Sequence, residues 1–430
     1  MAKRSSETAR SLGAPNRRPA WWPALSPDGW LLFATYAARL FAYGFVSVVL
    51  GLYLSALGLP PWAVGLVFTA ALAGGGVMTG LVTLVADRVG RRRVLMASAA
   101  LLALAGAVFA VTDSLVLLMA AAALGTISPS GTEVGPFLSI EQAMLPQTTS
   151  QEQRTATFAD YNVVGSAVGA LGSLSAGLPA FLGMEALAGY RALMWAYAAV
   201  GLLLLLLFSR LSPRVEAPST RATRRERGVG VRTSRGAVAR LAGLFALDSL
   251  GSGFVVQGLV SYWFNLRYGI DLKGLGAIAF GTDALAAVSF VAAPWVAQRV
   301  GLLKAAILPH LLANVLVMLV PMMPTLELSV GTWLARYLFA QMERPARQSY
   351  AMAIIDADER AAASGILSVA RNTASAVAPS IAWATLSMPA LGLPFLAAGG
   401  LKLVYDGLFF VLFRHVRPPE ERPESDPHAS

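Results

Sequence analysis

The chain contains no cysteine, which excludes disulfide cross-links and thiol chemistry. Its three histidines stand far apart at 310, 415 and 428, so no zinc-type cluster is available and no metal is expected. Charge is scarce. Asp, Glu, Lys and Arg make up 13% of the residues, against about 25% in a typical soluble domain. A soluble chain of 430 residues divides into several cores, each needing a polar surface, and this chain lacks the charges to cover them. No Gly-x-x-x-x-Gly-Lys-Ser/Thr phosphate loop occurs, and no nucleophile–histidine constellation is visible. An ATP-driven pump or a membrane enzyme is therefore not the leading reading. No cofactor is expected.

What the sequence has in quantity is apolar length. Hydrophobic residues make up 56%, and lipid is the simplest cover for them. A spanning helix needs about 20 mostly apolar residues. Twelve such segments can be read, at 30–57, 62–85, 93–112, 114–145, 156–182, 191–209, 238–265, 274–298, 302–321, 327–354, 360–387 and 391–413. Breakers separate them, among them Gly58-Leu59-Pro60-Pro61, Thr112-Asp113-Ser114 and Leu391-Gly392-Leu393-Pro394. The predicted fold is all-α, with twelve transmembrane helices in two six-helix bundles. Residues 1–29 form a tail, 30–209 the first bundle, 210–237 a basic linker, 238–413 the second bundle, and 414–430 a disordered tail.

The net charge of +10 does not point to nucleic acid, because the basic residues sit between apolar spans. Residues 1–29 hold five Lys/Arg and 210–240 hold nine, while Arg88, Arg91, Arg92 and Arg93 crowd the second connection. The odd-numbered connections hold Arg191, Arg267 and Lys273. By the positive-inside rule both termini lie in the cytoplasm, in a multi-pass protein of the inner or plasma membrane. The polar lead and the long first span do not read as a cleavable signal.

The two halves repeat each other. Gly44-Phe45 matches Gly253-Phe254, with Arg39 and Asp248 five residues upstream of each pair. Ala86-Asp87-Arg88-Val89-Gly90 matches Ala297-Gln298-Arg299-Val300-Gly301. Several matches in order indicate duplication, as in parallel transporter repeats.

The connection after the second span reads Asp87-Arg88-Val89-Gly90-Arg91-Arg92. It resembles the signature of the major facilitator superfamily, Gly-x-x-x-Asp-Arg-x-Gly-Arg-Arg, with Thr83 in place of the first glycine. The resemblance implies that Asp87, Arg88, Gly90, Arg91 and Arg92 form a conformational latch, with Glu141 as a partner for an arginine. It also implies that spans 1, 4, 7 and 10 line a central cavity. Span 5 carries Gly165, Gly169, Gly172 and Gly177 followed by Pro179. That resembles the glycine-rich fifth span of the family's antiporters in composition, but generic close packing explains it as well.

Ionisable residues at membrane depth are costly, so each is a functional candidate. Arg39, Glu133, Asp248 and Glu343 are expected to form the core of a transport site. Arg336 and Arg347 stand on the face of Glu343, and Tyr36, Tyr43, Gln257 and Gln341 supply hydrogen bonds. Glu133 lies in the run Ser128-Pro129-Ser130-Gly131-Thr132-Glu133-Val134-Gly135-Pro136, where a broken backbone is tolerated if it lines a cavity. A carboxyl there is the first candidate to load and release a proton, with Asp248 second. The alternative for these charges is a set of interhelical bridges such as Arg39–Asp248 or Glu343–Arg347. Lys402 and Asp406, one turn apart, are expected to pair with each other. His310 reads as a satisfied buried polar group. Asp160 and Asn162 read as capping or latch residues at the start of span 5, and Asp283 and Arg371-Asn372 as facing the other half or the cavity.

The expected function is secondary transport of a small organic compound by alternating access, as a monomer, with protons as the coupling ion and export as the direction. Proton-coupled uptake or facilitated transport of an organic anion is the alternative, given the arginines at 39, 336, 344 and 347. A receptor or scaffold built on a transporter fold is the reading from outside the class.

Overall fold

A computed structural model describes residues 25–133, 135–150, 153–216, 234–344, 347, 350–351, 354–356, 359–386 and 392–413. The expected tails before residue 25 and after 413, most of the linker, and the side chains of Thr83, Asp87 and Gln298 lie outside the described residues.

The first helix, α1 (Pro27–Ala56), starts where Ser26 accepts a hydrogen bond from the Gly29 amide, with Pro27 in the first turn and Asp28 favouring the positive end of the dipole. Its 30 residues extend about 45 Å at 1.5 Å per residue, more than the hydrocarbon thickness. Then follow α2 (Pro61–Val89), α3 (Arg91–Val111), α4 (Leu115–Leu124), α5 (Phe137–Met144), α6 (Arg154–Ser175), the single turn α7 (Leu178–Phe181) and α8 (Ala186–Ser209). The second half comprises α9 (Arg235–Gly253), α10 (Gln257–Tyr268), α11 (Leu272–Val300), α12 (Leu302–Leu319), α13 (Leu326–Ala340), α14 (Arg360–Thr385) and α15 (Leu393–Phe413).

Nine helical segments are long and apolar enough to cross a bilayer among the described residues. Three of the twelve expected spans fall outside that set. Span 114–145 is not one helix but two, α4 and α5, because Pro129 and Pro136 interrupt the hydrogen-bond ladder and Thr126, Gly131 and Gly135 take positive φ. Span 327–354 stops at Ala340, turns at Gln341-Met342 and resumes at Glu343. Span 360–387 is a continuous helix, α14, diluted by serines, threonines, Asn372 and Arg371. Span 238–265 is also divided, into α9 and α10, at Phe254–Val256.

The two halves meet mainly through α2 against α14, α6 against α11, and α1 against α10. The broken backbones touch: the Gly258 amide at the head of α10 donates to the Pro129 carbonyl at 3.1 Å. Nearby, the Thr69 and Ser380 hydroxyls lie 2.7 Å apart, and Ser55 donates to the Tyr262 hydroxyl at 3.4 Å.

Along α2 the contact with α14 fades. A β-carbon added at Gly65 would lie 2.9 Å from the Ser380 α-carbon; at Gly76 it would lie 3.5 Å from the Asn372 β-carbon; at Gly80 it would meet nothing within 4 Å. The helices are closed at the end bearing the 57–60 turn. They splay apart at the end bearing Gly90 and the linker, where Ile366 and Val369 of α14 are exposed.

Candidate functional site

Two buried charge clusters occupy the interior, one in each half. In the first, α1 presents Arg39, which has no exposed surface. Its two terminal nitrogens donate to Glu141 of α5 at 3.0 and 2.6 Å, a bidentate pairing of the strong kind. Its Nε donates to Glu133 at 3.0 Å. Glu141 also accepts from Thr35 at 3.1 Å and from the Tyr161 hydroxyl at 2.6 Å. Tyr36 stacks on Tyr161 at 3.9 Å, and the Arg39 guanidinium lies over the Phe137 ring at 4.5 Å. The α4–α5 break places Glu133 on an irregular stretch of backbone, with 9% of its side chain exposed.

The second cluster has the opposite sign at its centre. Asp248 of α9 accepts from Lys402 of α15 at 2.6 Å and from Arg347 at 2.8 Å. Arg347 also lies 2.7 Å from a Glu343 oxygen, without hydrogen-bond alignment. His310 of α12 places Nε2 3.5 Å from Asp248 and Nδ1 2.7 Å from Asp406. Asn314, one turn along α12, donates to Asp406 at 2.9 Å.

Sequence reasoning is corrected at several points. Lys402 does not pair with Asp406: it crosses to Asp248, while His310 and Asn314 hold Asp406. Arg39 and Asp248 form no bridge; each is saturated within its own half. Glu343 and Arg347 do approach each other. Glu141 partners an arginine, but it is Arg39 in the buried cluster and not one of the latch arginines.

The remaining candidates are dispersed. Tyr36 and Tyr43 line the first cluster, Tyr43 facing the Thr126 hydroxyl at 3.5 Å. The Gln257 side chain donates to Ser261 at 3.3 Å, whereas at Gln341 it is the backbone N–H that donates to Ser289. Arg336 rests over Trp333 and Tyr337 at 4.8 and 5.0 Å, and its Nε has no hydrogen-bond partner. Arg344, Arg371 and Asn372 are exposed. Asp283 of α11 accepts from Ser173 of α6 at 3.2 Å, across the junction of the halves. Asp160 lies inside α6, not at its start, and Asn162 bonds back to the Phe158 carbonyl.

At the signature loop, Gly90 closes α2 with φ +105°. The α3 N-terminus is capped by Glu216, whose carboxylate accepts from the Arg91 and Arg92 amides at 2.7 and 3.1 Å. The Arg92 guanidinium donates to the Ser209 carbonyl at 2.5 Å, and Arg91 reaches the Ala143 carbonyl at 3.4 Å. Arg88 is exposed at the end of α2. Sequence reasoning missed Glu216, Tyr161, Thr35 and Asn314, which bind partners distant in the chain. No metal-binding cluster of His, Asp or Glu occurs among the described residues.

Known proteins agree with this architecture. An uncharacterized membrane protein of Saccharomyces cerevisiae is 28% identical over 90% of this chain and 94% of its own length. A bacterial homolog of the human lysosomal transporter Spinster, in an inward-facing and unoccupied conformation, superimposes with a TM-score of 0.71 at 13% identity, covering 90% of this chain and 96% of that one. The nucleoside transporter NupG gives 0.69 at 13% identity over 91% of this chain and 100% of its own. A bacterial homologue of the iron transporter ferroportin, also inward-facing, gives 0.68 at 16% over 89% and 98%. The sequence pattern of the Major Facilitator Superfamily matches residues 32–379, so the chain, a multi-pass membrane protein of transporter fold, belongs to that superfamily.

Proposed function

We propose that this transporter moves a small organic anion together with protons by alternating access, with Glu133 as the proton carrier. The observation that carries the reading is the sharing of one guanidinium by two carboxylates. Arg39 balances only one of Glu133 and Glu141. Glu141 holds the bidentate edge with two further donors, so Glu133 is the partner that can leave. A proton on Glu133 removes its charge and frees the Arg39 Nε edge, which then donates to an anionic group in its place. Proton and anion load together.

Three guanidinium groups favour an anion further. Arg336, Arg344 and Arg371 have no carboxylate within ion-pair distance among the described residues. Export in exchange for protons, the direction first expected, is the second reading. Glycine packing supports it only in composition: Gly165 sits against the Tyr36 ring and Gly172 against the Phe41 backbone. In that case the substrate is a cation competing with the proton for Glu133.

By the positive-inside rule the splayed end, which carries the signature loop and the linker, faces the cytoplasm of an inner or plasma membrane. The conformation is then inward-open. The signature loop serves as a hinge-end brace for the first half, held by Glu216. For Asp87 the latch role that the family resemblance implies is retained as part of this proposal.

The test is proton movement in proteoliposomes with a panel of organic anions and cations, comparing wild type with Glu133→Gln. Anion-dependent proton flux in the direction of the anion, lost in the variant, supports the reading. Proton flux opposite to a cation establishes the exchange reading. Coupled flux that survives Glu133→Gln removes Glu133 from the mechanism.

A further inference from the structure

We propose that the chain of side chains Asp248–His310–Asp406 is a second proton-binding site, built where α9, α12 and α15 meet. The site stands apart from the Arg39 cluster and does not depend on the role given to Glu133.

The first argument is charge balance. The cluster gathers three carboxylates, Asp248, Glu343 and Asp406, against two cations, Arg347 and Lys402. All five are buried, as is His310. Among the groups within ion-pair distance of one another, one negative charge is left over in a setting where an unbalanced charge is expensive. One proton brings that inner sum to zero, with Arg344 and Arg371 outside it.

The second argument is hydrogen-bond complementarity. A neutral imidazole has one N–H and one lone pair. Here both ring nitrogens face carboxylate oxygens, Nδ1 to Asp406 and Nε2 to Asp248. Asn314 donates to the second Asp406 oxygen at 2.9 Å, which leaves the first, 2.7 Å from Nδ1, to accept from the ring. A lone pair on either nitrogen would oppose a carboxylate oxygen. An added proton, held between His310 and its two acids, satisfies both contacts.

The surroundings are defined on every side. Asp248 comes from α9, and Lys402, Asp406 and the Tyr405 ring from α15, the ring standing edge-on to His310 at 5.6 Å. The segment after α13 supplies Arg347 and Glu343 through their contact with Asp248 and with each other. The helices α11 and α13 also pack on α12. Among the described residues they bring no charged atom into ion-pair distance of His310. Arg344 and Arg371 are exposed and sense Asp248 and Glu343 from farther away.

A proton here ties α12 and α15 to α9, the helix that opens the second half. Its arrival and departure would bias how those helices pack, separately from substrate loading.

The test uses full-length protein in nanodiscs with His415→Gln and His428→Gln, which leaves His310 as the sole histidine. Nitrogen-15 NMR of labelled histidine then reports both ring nitrogens. The spectra are taken above neutral pH, where a free imidazole is uncharged, and both nitrogens are expected to carry protons. Asp406→Asn removes one carboxylate and the need for the proton, so one ring proton should be lost under the same conditions. A single neutral tautomer in the otherwise native chain overturns the proposal. So does a doubly protonated ring that Asp406→Asn leaves unchanged. Lys402→Gln is the control, because it worsens the charge imbalance and should leave both nitrogens protonated; loss of a ring proton there also overturns the proposal.

Discussion

Arg39 and Asp248 stand at matched places in the two halves, each five residues before a Gly-Phe pair, and each is the hub of a buried cluster, a cation at the centre of one and an acid at the centre of the other. In the first half one cation draws in two acids; in the second one acid draws in two cations. Duplication explains the matched positions. The inversion at the hub lets each half pair its central charge within itself. That leaves the contact between halves to glycines, hydroxyls and aromatic rings, with Asp283 against Ser173 as an acid at the seam.

Removing the hub of the first cluster should therefore be costly. Arg39→Ala leaves Glu133 and Glu141 without their shared cation, and breaking a buried pair in this way costs about 3–5 kcal/mol. Arg39→Lys keeps the charge but loses the bidentate fork to Glu141. The lysine variant is expected to fold with a lowered unfolding temperature and a transport rate reduced by at least about tenfold. A lysine variant indistinguishable from wild type in thermal unfolding and flux would show that the fork is not needed.

How much of this could be read beforehand depended on the range of the interaction. Apolar length and breakers located nine of the twelve expected spans among the described residues, and the Pro/Gly run around Glu133 correctly announced irregular backbone. Depth and span number singled out Arg39, Glu133, Asp248, Glu343 and Arg347, which the structure places in the two clusters. Partner choice was not legible. Lys402 and Asp406 are one turn apart, which suggested a local bridge, yet their side chains serve different neighbours across the helix interface. Sequence alone assigns Glu141 to the latch and not to the Arg39 cluster because its partners Thr35, Arg39 and Tyr161 are separated from it by 106, 102 and 20 residues. His310 looked inert for the same reason: nothing local predicts that α9 and α15 both bring it an acid.

The two acids on Arg39 should separate in their effects on stability. Glu141 is wholly buried and accepts from three side chains, whereas Glu133 meets Arg39 alone and is partly exposed. Glutamine at 141 would point an N–H₂ at donors. Glu141→Gln is expected to destabilise the protein by about 2–4 kcal/mol and Glu133→Gln by less than about 1 kcal/mol. Thermal unfolding in detergent measures both, and equal losses would contradict the division of roles.

Lys402 offers a test of partner choice in the second cluster. A double-mutant cycle of Asp248→Asn with Lys402→Gln should show a coupling of about 1–3 kcal/mol. The parallel cycle of Asp406→Asn with Lys402→Gln should show much less, since those side chains do not pair. A larger coupling in the second cycle would restore the one-turn bridge and contradict the observed geometry.

Glu216 links the linker to the signature loop. Its carboxylate caps the α3 amides, where the helix dipole is positive, and Glu216→Ala should cost about 1 kcal/mol. Because Glu216 bonds to no residue of either cluster, apparent substrate affinity should stay the same while the unfolding temperature falls. A change in affinity without a change in stability would instead place Glu216 in the conformational cycle.

The absence of native cysteine makes the contact between halves directly testable. The Thr69 and Ser380 hydroxyls lie 2.7 Å apart at the closed end of the α2–α14 pair, close enough for replacement sulfurs to bond after a small adjustment toward the S–S length of about 2.0 Å. Thr69→Cys with Ser380→Cys should oxidise readily, hold this conformation and stop transport, with a reductant restoring it. Leu81→Cys with Ile366→Cys, at the splayed end of the same helices, should stay reduced and react with a water-soluble maleimide, because both positions are exposed. If the oxidised 69–380 pair transports at the wild-type rate, α2 and α14 do not part at that end during the cycle, and access must alternate through another seam such as α6 against α11.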